Sequence, residues 1–410
     1  MNKARPTKKI FVGMSGGVDS SVSAALLVKA GHDVTGVFIR VWQPDWIECN
    51  WREERLDAMR AAAHLGIPFV TLDLEREYKE GVIDYMIAEY AAGRTPNPDV
   101  MCNREVKFGA FWDWARKHGT DAIATGHYAR IERDLGSDDG DHGIGSRYRL
   151  LAGTDKNKDQ SYFLWTLGQA DLEHVLFPVG HLEKPKVRAL ARKFGLPNAD
   201  KKDSQGLCFI GKMDVKEFLS HYIHTEPGDV LNEKGAKIGT HPGSLLFTIG
   251  ERHGFTITEK TPNDAPYYIV AKDMTANTIT VSNRKMGDTA GSSYGTDSIE
   301  VLEQNLMQNR NGAREARIAH VSWTNSPLKE GDHILARSRY REPLLQAVVA
   351  SIANGVADGA TGSTRGATDM LTSDTCTATI LFKDPQETLS PGQSLVMYDG
   401  EECLGGGILV

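Results

Sequence analysis

Along the first 130 residues, two kinds of apolar pattern alternate. Short, nearly continuous apolar runs over 9–14 (KIFVGM), 34–41, 67–72 and 121–125 read as strands. Between them, apolar residues three and four apart over 19–30, 53–65, 76–92 and 104–118 read as helices, with Gly31 and Gly66 closing the first two. Strands apolar on both faces and separated by helices predict a parallel sheet covered on both sides, an α/β, Rossmann-like unit. Ligands of such sheets bind beyond the carboxyl ends of the strands.

Helical spacing continues over 170–176, 184–194 and 215–223. From about residue 227 the period shortens to two. Alternating runs over 267–272, 278–282, 318–323, 344–349, 378–382 and 393–398 are separated by Gly, Asn, Asp and Pro. The pattern predicts an α/β domain over 1–212, a small mixed central domain over 213–290 and a C-terminal β-barrel over 291–410. Two stretches, 136–146 (GSDDGDHGIGS) and 354–374, carry too few apolar residues to bury and read as solvent-facing loops.

The 410-residue chain is 40% hydrophobic and 25% charged, which fits a globular protein of two or three domains. No apolar run reaches 18 residues, so no membrane span is expected. The N-terminus is basic but enters a strand directly, which predicts a cytoplasmic protein. A net charge of −7 argues against a general polyanion binder but leaves room for local basic patches. One such patch is 183–203, with seven Lys or Arg against three acidic residues; a solvated helix face explains those charges nearly as well. The five cysteines (49, 102, 208, 376 and 403) are far apart and form no CxxC pair, against a zinc ribbon or a disulfide scaffold.

Three segments carry chemistry. Ser15-Gly-Gly-Val-Asp-Ser-Ser21 lies between a strand and a helix. Its glycines let backbone N–H groups meet an anion, the opening helix adds its positive end, Ser15, Ser20 and Ser21 add hydroxyls, and Asp19 suits Mg²⁺ beside phosphate. No lysine follows the glycines, so this is not a GxxxxGK[ST] loop. A Gly-rich turn capped by Asp19 is the plainer account. Next, Asn97-Pro-Asp-Val-Met-Cys-Asn103 breaks regular structure and then starts a helix, with Asp99 as the expected N-cap. Cys102 would lie in the first turn, where the helix dipole favours thiolate, and Asp99 would sit near enough to shuttle a proton. Simple capping and packing account for this stretch equally well. In Asp203-Ser-Gln-Gly-Leu-Cys-Phe-Ile-Gly211, Cys208 follows a polar loop where the α/β pattern ends. A swinging thiol fits there, and so, more economically, does a buried cysteine beside Phe209 and Ile210. Together, a nucleotide loop and two such cysteines describe sulfur insertion: a carbonyl oxygen is activated, a persulfide attacks, and a second thiol releases the sulfur.

The SGGVDSS loop resembles the pyrophosphate loop of the ATP pyrophosphatase superfamily, whose members transfer AMP to an oxygen. With NPDVMCNREVKF, TGHYAR (125–130), KDQSYFL (158–164), DSQGLCFIG, RYRE (339–342) and PGQS (391–394), the chain closely resembles the bacterial tRNA-specific 2-thiouridylase family over nearly its whole length. The resemblance implies an ATP site of Gly13, Met14, Ser15, Gly16, Gly17, Val18, Asp19 and Ser20, with Ile39 on adenine and Gly126 closing the pocket. It implies Asn97, Pro98 and Asp99 at the target base, Cys102 as nucleophile and Cys208 as persulfide carrier. It further implies tRNA contacts from His127, Lys158, Asp159, Gln160, Arg339, Tyr340 and Gln393. The expected substrate is the wobble uridine of tRNAs for Lys, Glu and Gln, and a sulfur-relay protein or cysteine desulfurase would supply the sulfur. Position 39 is commonly Met in the family; Ile keeps the apolar contact. The readings left open are an adenylating ligase or amidotransferase for a small molecule, a tRNA-binding protein with a relic loop, and an iron–sulfur cluster on Cys102, Cys208 and Asp99.

Overall fold

A computed structural model describes residues 7–46, 51–134, 147–203, 214–258, 265–283, 313–353, 376–386 and 389–410. Cys208 and both glycine-rich stretches, 136–146 and 354–374, lie outside the described residues.

The N-terminal sheet is parallel. Its strands are β1 (Lys9–Gly13), β2 (Asp33–Arg40), β3 (Phe69–Asp73) and β4 (Ala122–Ala124). A hairpin of β5 (Ala129–Asp134) and β6 (Arg147–Ala152) follows, and β7 (Val175–Leu176) completes the sheet in the order β3-β2-β1-β4-β7. Successive residues of β1 face opposite sides. Ile10 and Val12 pack with Ala24, Leu27 and Ala61 of helices α1 (Val18–Lys29) and α2 (Trp51–Leu65). Phe11 turns the other way, 5.4 Å from Trp114. This alternation is what makes the strand continuously apolar. The chain runs outward from β1 to β3, then crosses back to β4 on the other side of β1. The order therefore reverses between β1 and β4, and a crevice opens at their carboxyl ends.

Three expectations need correction. The helix expected over 104–118 begins earlier: helical backbone is continuous from Pro98 to Lys117, with π-helical turns over Cys102–Ala110. The helix expected over 170–176 is a single turn, Gln169–Leu172, followed by the two-residue edge strand β7, too short to leave a period. The hairpin β5–β6 was not foreseen. It belongs to the distant barrel, with Leu151 paired to Glu402.

The central sheet has strands β8 (Gly228–Leu231), β9 (Lys237–His241), β10 (Thr256–Ile257), β11 (Tyr268–Asp273) and β12 (Thr278–Ser282), in the order β10-β9-β8-β12-β11. One pair, β8–β12, is parallel and the rest are antiparallel, so the sheet is mixed as expected. Six antiparallel strands close the C-terminal barrel: β13 (Ala313–Trp323), β14 (His333–Arg337), β15 (Leu345–Ala353), β16 (Thr377–Gln386), β17 (Ser394–Asp399) and β18 (Glu402–Leu409). The β13–β18 pairing completes the ring of six, so none of these strands is left as a free edge. Among the described residues, no helix is long and apolar enough to cross a membrane.

Candidate active site at the strand carboxyl ends

The loop after β1 folds on its own hydroxyls. Ser20 Oγ lies 3.3 Å from the Ser15 amide nitrogen, and Ser20 and Ser21 Oγ donate to Gly17 O at 3.2 and 3.0 Å. Gly17 is the N-cap of α1 and has no side chain to cap it, which leaves the first-turn N–H groups to an anion. Met14 is buried, and its N–H donates to Val37 O at 2.8 Å, tying the loop to β2 two residues before Ile39. Gly126, just past β4, presses on the start of α1. A Cβ there would stand 2.7 Å from Ser20 N and 2.9 Å from the Asp19 carbonyl carbon. The carboxyl ends of β1, β2 and β4 thus bring the loop, Ile39 and Gly126 to one crevice, and the residues present fit a nucleotide polyphosphate.

Residues distant in sequence complete the loop, and sequence reasoning missed most of them. Asn198 Nδ2 donates to Gly16 O, Gly17 O and Ser21 Oγ at 2.9, 3.2 and 2.9 Å. Tyr128 OH donates to Asp19 Oδ1 at 2.7 Å, and Lys184 Nζ donates to both Asp19 oxygens at 2.8 Å. Lys184 also lies 2.8 Å from Asp203, which Lys158 and Arg188 each reach at 2.7 Å. Burial works against the Asp203 charge, but hydrogen bonds from Lys158 and Lys184 outweigh it and hold the carboxyl at about 2. The basic stretch 183–203 is thus partly turned inward. Lys184, Arg188, Arg192 and Lys201 pair with carboxylates of this chain, while Lys186, Lys193 and Lys202 are exposed.

On the other face of the sheet, the Pro98–Lys117 helix packs beside β1 through Phe111 and Trp114. Its N-cap is Asn97, not Asp99: Asn97 Oδ1 accepts from Val100 N at 3.4 Å, and Asp99 occupies the first turn. Pro98 fills the first helical position, where a missing N–H costs nothing. Asp99 and Cys102 are three residues apart and share a helix face. Cys102 is buried and opens the π-helical turns, a distortion frequent at functional sites. The next residue, Asn103, donates to Phe163 O at 3.0 Å and accepts from Lys107 at 3.0 Å, which fixes the turn. Elsewhere, burial pushes the Cys403 thiol up to about 12 and raises that of Cys376, so neither favours thiolate. Among the described residues, no group of three or more His, Cys, Asp or Glu is arranged to hold a metal ion.

The residues expected at tRNA are largely engaged inside the molecule. His127 is buried against Phe108 and Phe177, its Nδ1 2.6 Å from Thr125 Oγ1. The 158–164 segment ties the domains together. Lys158 holds Asp203, and Gln160 exchanges hydrogen bonds with the Tyr128 backbone at 2.9 and 3.0 Å. Asp159 accepts from Gly153 N, Ser161 N and Arg337 Nη2 at 2.9, 3.0 and 2.9 Å. Arg339 donates to Ile249 O at 2.8 Å, Tyr340 lies 4.7 Å from the Phe163 ring, and Gln393 donates to Thr95 O at 2.8 Å.

Family models match along the chain: a tRNA methyl transferase HUP domain over 8–212, a tRNA methyl transferase PRC-barrel domain over 216–283 and an aminomethyltransferase beta-barrel domain over 366–409. A curated relative from Geobacillus kaustophilus, tRNA-specific 2-thiouridylase MnmA 2, is 40% identical over 414 residues, covering 100% of this chain and 96% of its own length. Proteins named tRNA-specific 2-thiouridylase MnmA from Streptococcus mutans and Xanthomonas campestris are each 40% identical. They cover 98% of this chain and 95% and 94% of their own lengths. End-to-end identity at that level is decisive, and the chain belongs to the tRNA-specific 2-thiouridylase family.

Proposed function

We propose that this chain is a cytoplasmic enzyme that uses ATP to replace O2 of the wobble uridine, position 34, with sulfur in tRNAs for Lys, Glu and Gln. The observation that carries the reading is the pairing of two elements around β1. The Gly13–Ser20 loop with Gly126 forms an anion cradle at the strand's end, and the helix bearing Asp99 and Cys102 packs alongside. The methyl transfer named in two of the matching family descriptions would leave both elements without a task.

In this reading the loop and Gly126 hold ATP, Ile39 meets adenine, and Asp19 faces the phosphates, where Mg²⁺ would offset their charge. Uracil O2 attacks the α-phosphorus and pyrophosphate leaves. The terminal sulfur of a Cys208 persulfide then adds to C2, and AMP departs with the former O2. The Cys102 thiolate attacks the Cys208 sulfur. The bond between the two persulfide sulfurs breaks, its electron pair staying on the departing sulfur, and a Cys102–Cys208 disulfide remains. A thiol reductant returns two electrons, and a sulfur-relay protein or cysteine desulfurase reloads Cys208. Asp99, one turn from Cys102, takes the thiol proton, and Asn97 and Pro98 flank the base. An anticodon base is unpaired, so turning it outward costs only a few kcal/mol.

Pyrophosphate release tests the proposal. Release from ATP should require tRNA with uridine at position 34 and should stop when that base is cytidine. Steady release with a small metabolite and no tRNA would contradict it.

A further inference from the structure

The three domains meet at Thr95 and Pro96, the two residues before the cap of the Cys102 helix. Both are buried. Prolines at 96 and 98 remove two backbone donors, so this short loop cannot tie itself down, and its buried carbonyls need donors from elsewhere. The barrel provides them. Gln393 Nε2 donates to Thr95 O at 2.8 Å and to Pro96 O at 3.2 Å, while Thr95 N donates to Pro391 O at 2.8 Å. The central domain adds Thr248 Oγ1, 3.0 Å from Thr95 Oγ1. The Tyr162 hydroxyl donates toward Ser338 O and Ser394 O of the barrel, each at 2.9 Å.

The platform making these contacts is itself tied down. Gly392 N donates to Leu409 O at 2.8 Å, and Leu409 N to Gln393 O at 2.9 Å, which fastens the 390–393 turn to the end of β18. Gly392 has φ +91, and a Cβ on it would stand 2.8 Å from Thr95 N and O. Only glycine lets the turn come this close.

We infer that Gln393 is a positioning residue for the nucleophile helix, acting through Thr95 and Pro96 on Asn97, Asp99 and Cys102. The inference rests on the proposed thiolation. Its consequence is that the barrel, remote in sequence from the chemistry, sets the geometry of the Cys102 turn.

The test uses the full-length enzyme carrying Gln393→Met, which keeps side-chain volume but removes the donor, and Gly392→Ala, which forces the turn off Thr95 without altering any polar side chain. Turnover, KM and Kd for tRNA, melting temperature and the alkylation rate of Cys102 by iodoacetamide, read by peptide mass spectrometry, are compared with wild type. Both variants should lower kcat about 10- to 100-fold, the scale of a displacement near 1 Å. Gly392→Ala should keep tRNA KM and Kd within about twofold, and both variants should speed alkylation of Cys102 about tenfold or more. A raised tRNA KM and Kd with kcat and alkylation unchanged would overturn the inference and leave Gln393 an RNA contact alone. Folded variants with unchanged kcat and unchanged alkylation would overturn it as well. If wild-type enzyme makes no 2-thiouridine at all, the proposed function fails instead, and the alkylation rates still decide whether the turn holds the helix.

Discussion

Lys184 lies 2.8 Å from both carboxylate oxygens of Asp19, a residue 165 positions away in the chain. The nucleotide loop has no lysine of its own, and a distant helix brings one to it. The same ammonium reaches Asp203, five residues before Cys208, the proposed persulfide carrier. Lys184→Met should weaken ATP binding roughly 10- to 100-fold, the scale of one lost charged hydrogen bond, and leave tRNA affinity nearly unchanged. Titration calorimetry with ATP and filter binding with tRNA check the two halves.

Gly126→Ala places a methyl against the first turn of α1. Overpacking of this kind costs roughly 1–3 kcal/mol, and here the strain falls on the N–H groups offered to phosphate. The KM for ATP should rise about tenfold while that for tRNA stays put. Steady-state kinetics in each substrate separate the outcomes, and equal effects on both would point to general unfolding.

His127 makes stability depend on pH. Burial first, and the nearby Lys107 charge second, hold its pKa well below the usual value. An unfolded histidine takes a proton near pH 6.5, so below that pH the unfolded chain gains protons that the folded chain refuses, and stability falls as pH drops. Above about pH 7 the effect vanishes. Between about pH 7.5 and about pH 5.5, wild type should lose more stability than His127→Gln, up to about 1.4 kcal/mol, the most that titration of the unfolded histidine allows. Urea unfolding of both proteins at the two pH values measures the difference.

Asp159 and Arg337 form a buried pair across the interface of the α/β domain and the barrel, with side chains only 7% and 11% exposed. Removing one partner strands the other, at a cost of roughly 3–5 kcal/mol. Asp159→Ala should therefore lower the melting temperature by several degrees in the absence of any RNA. A variant that melts like wild type but binds tRNA more weakly would instead mark Asp159 as a surface contact.

Local pattern made the parallel sheet, the loop after its first strand and the barrel legible, because strand and helix periods are written in neighbouring residues. Asn97 as cap was misread because Asn-Pro and Asp99 are both sound helix starts, and only the Val100 N–H, donating to Asn97, separates them. Lys184, Asn198 and Tyr128 were missed as partners of the loop because nothing near them in sequence announces what lies across the crevice. The basic run over 183–203 was legible only in part for the same reason: its charges were visible, but the carboxylates that hold Lys184, Arg188 and Lys201 were not. Likewise, Gln393 sits in a motif that draws attention, but its bonds to Thr95 and Pro96 exist only once the barrel closes onto the α/β domain.

In the proposed reaction, one ATP loop and two thiols act on a single base. The most direct measurement loads Cys208 with a ³⁴S-labelled persulfide, adds ATP and tRNA for a single turnover, and reads the nucleosides by mass spectrometry. Wild type should yield ³⁴S-labelled 2-thiouridine, with none without ATP and none from Cys102→Ser or Cys208→Ser although both still bind tRNA. Labelled 2-thiouridine at the wild-type rate from either cysteine variant, or in the absence of ATP, would contradict it.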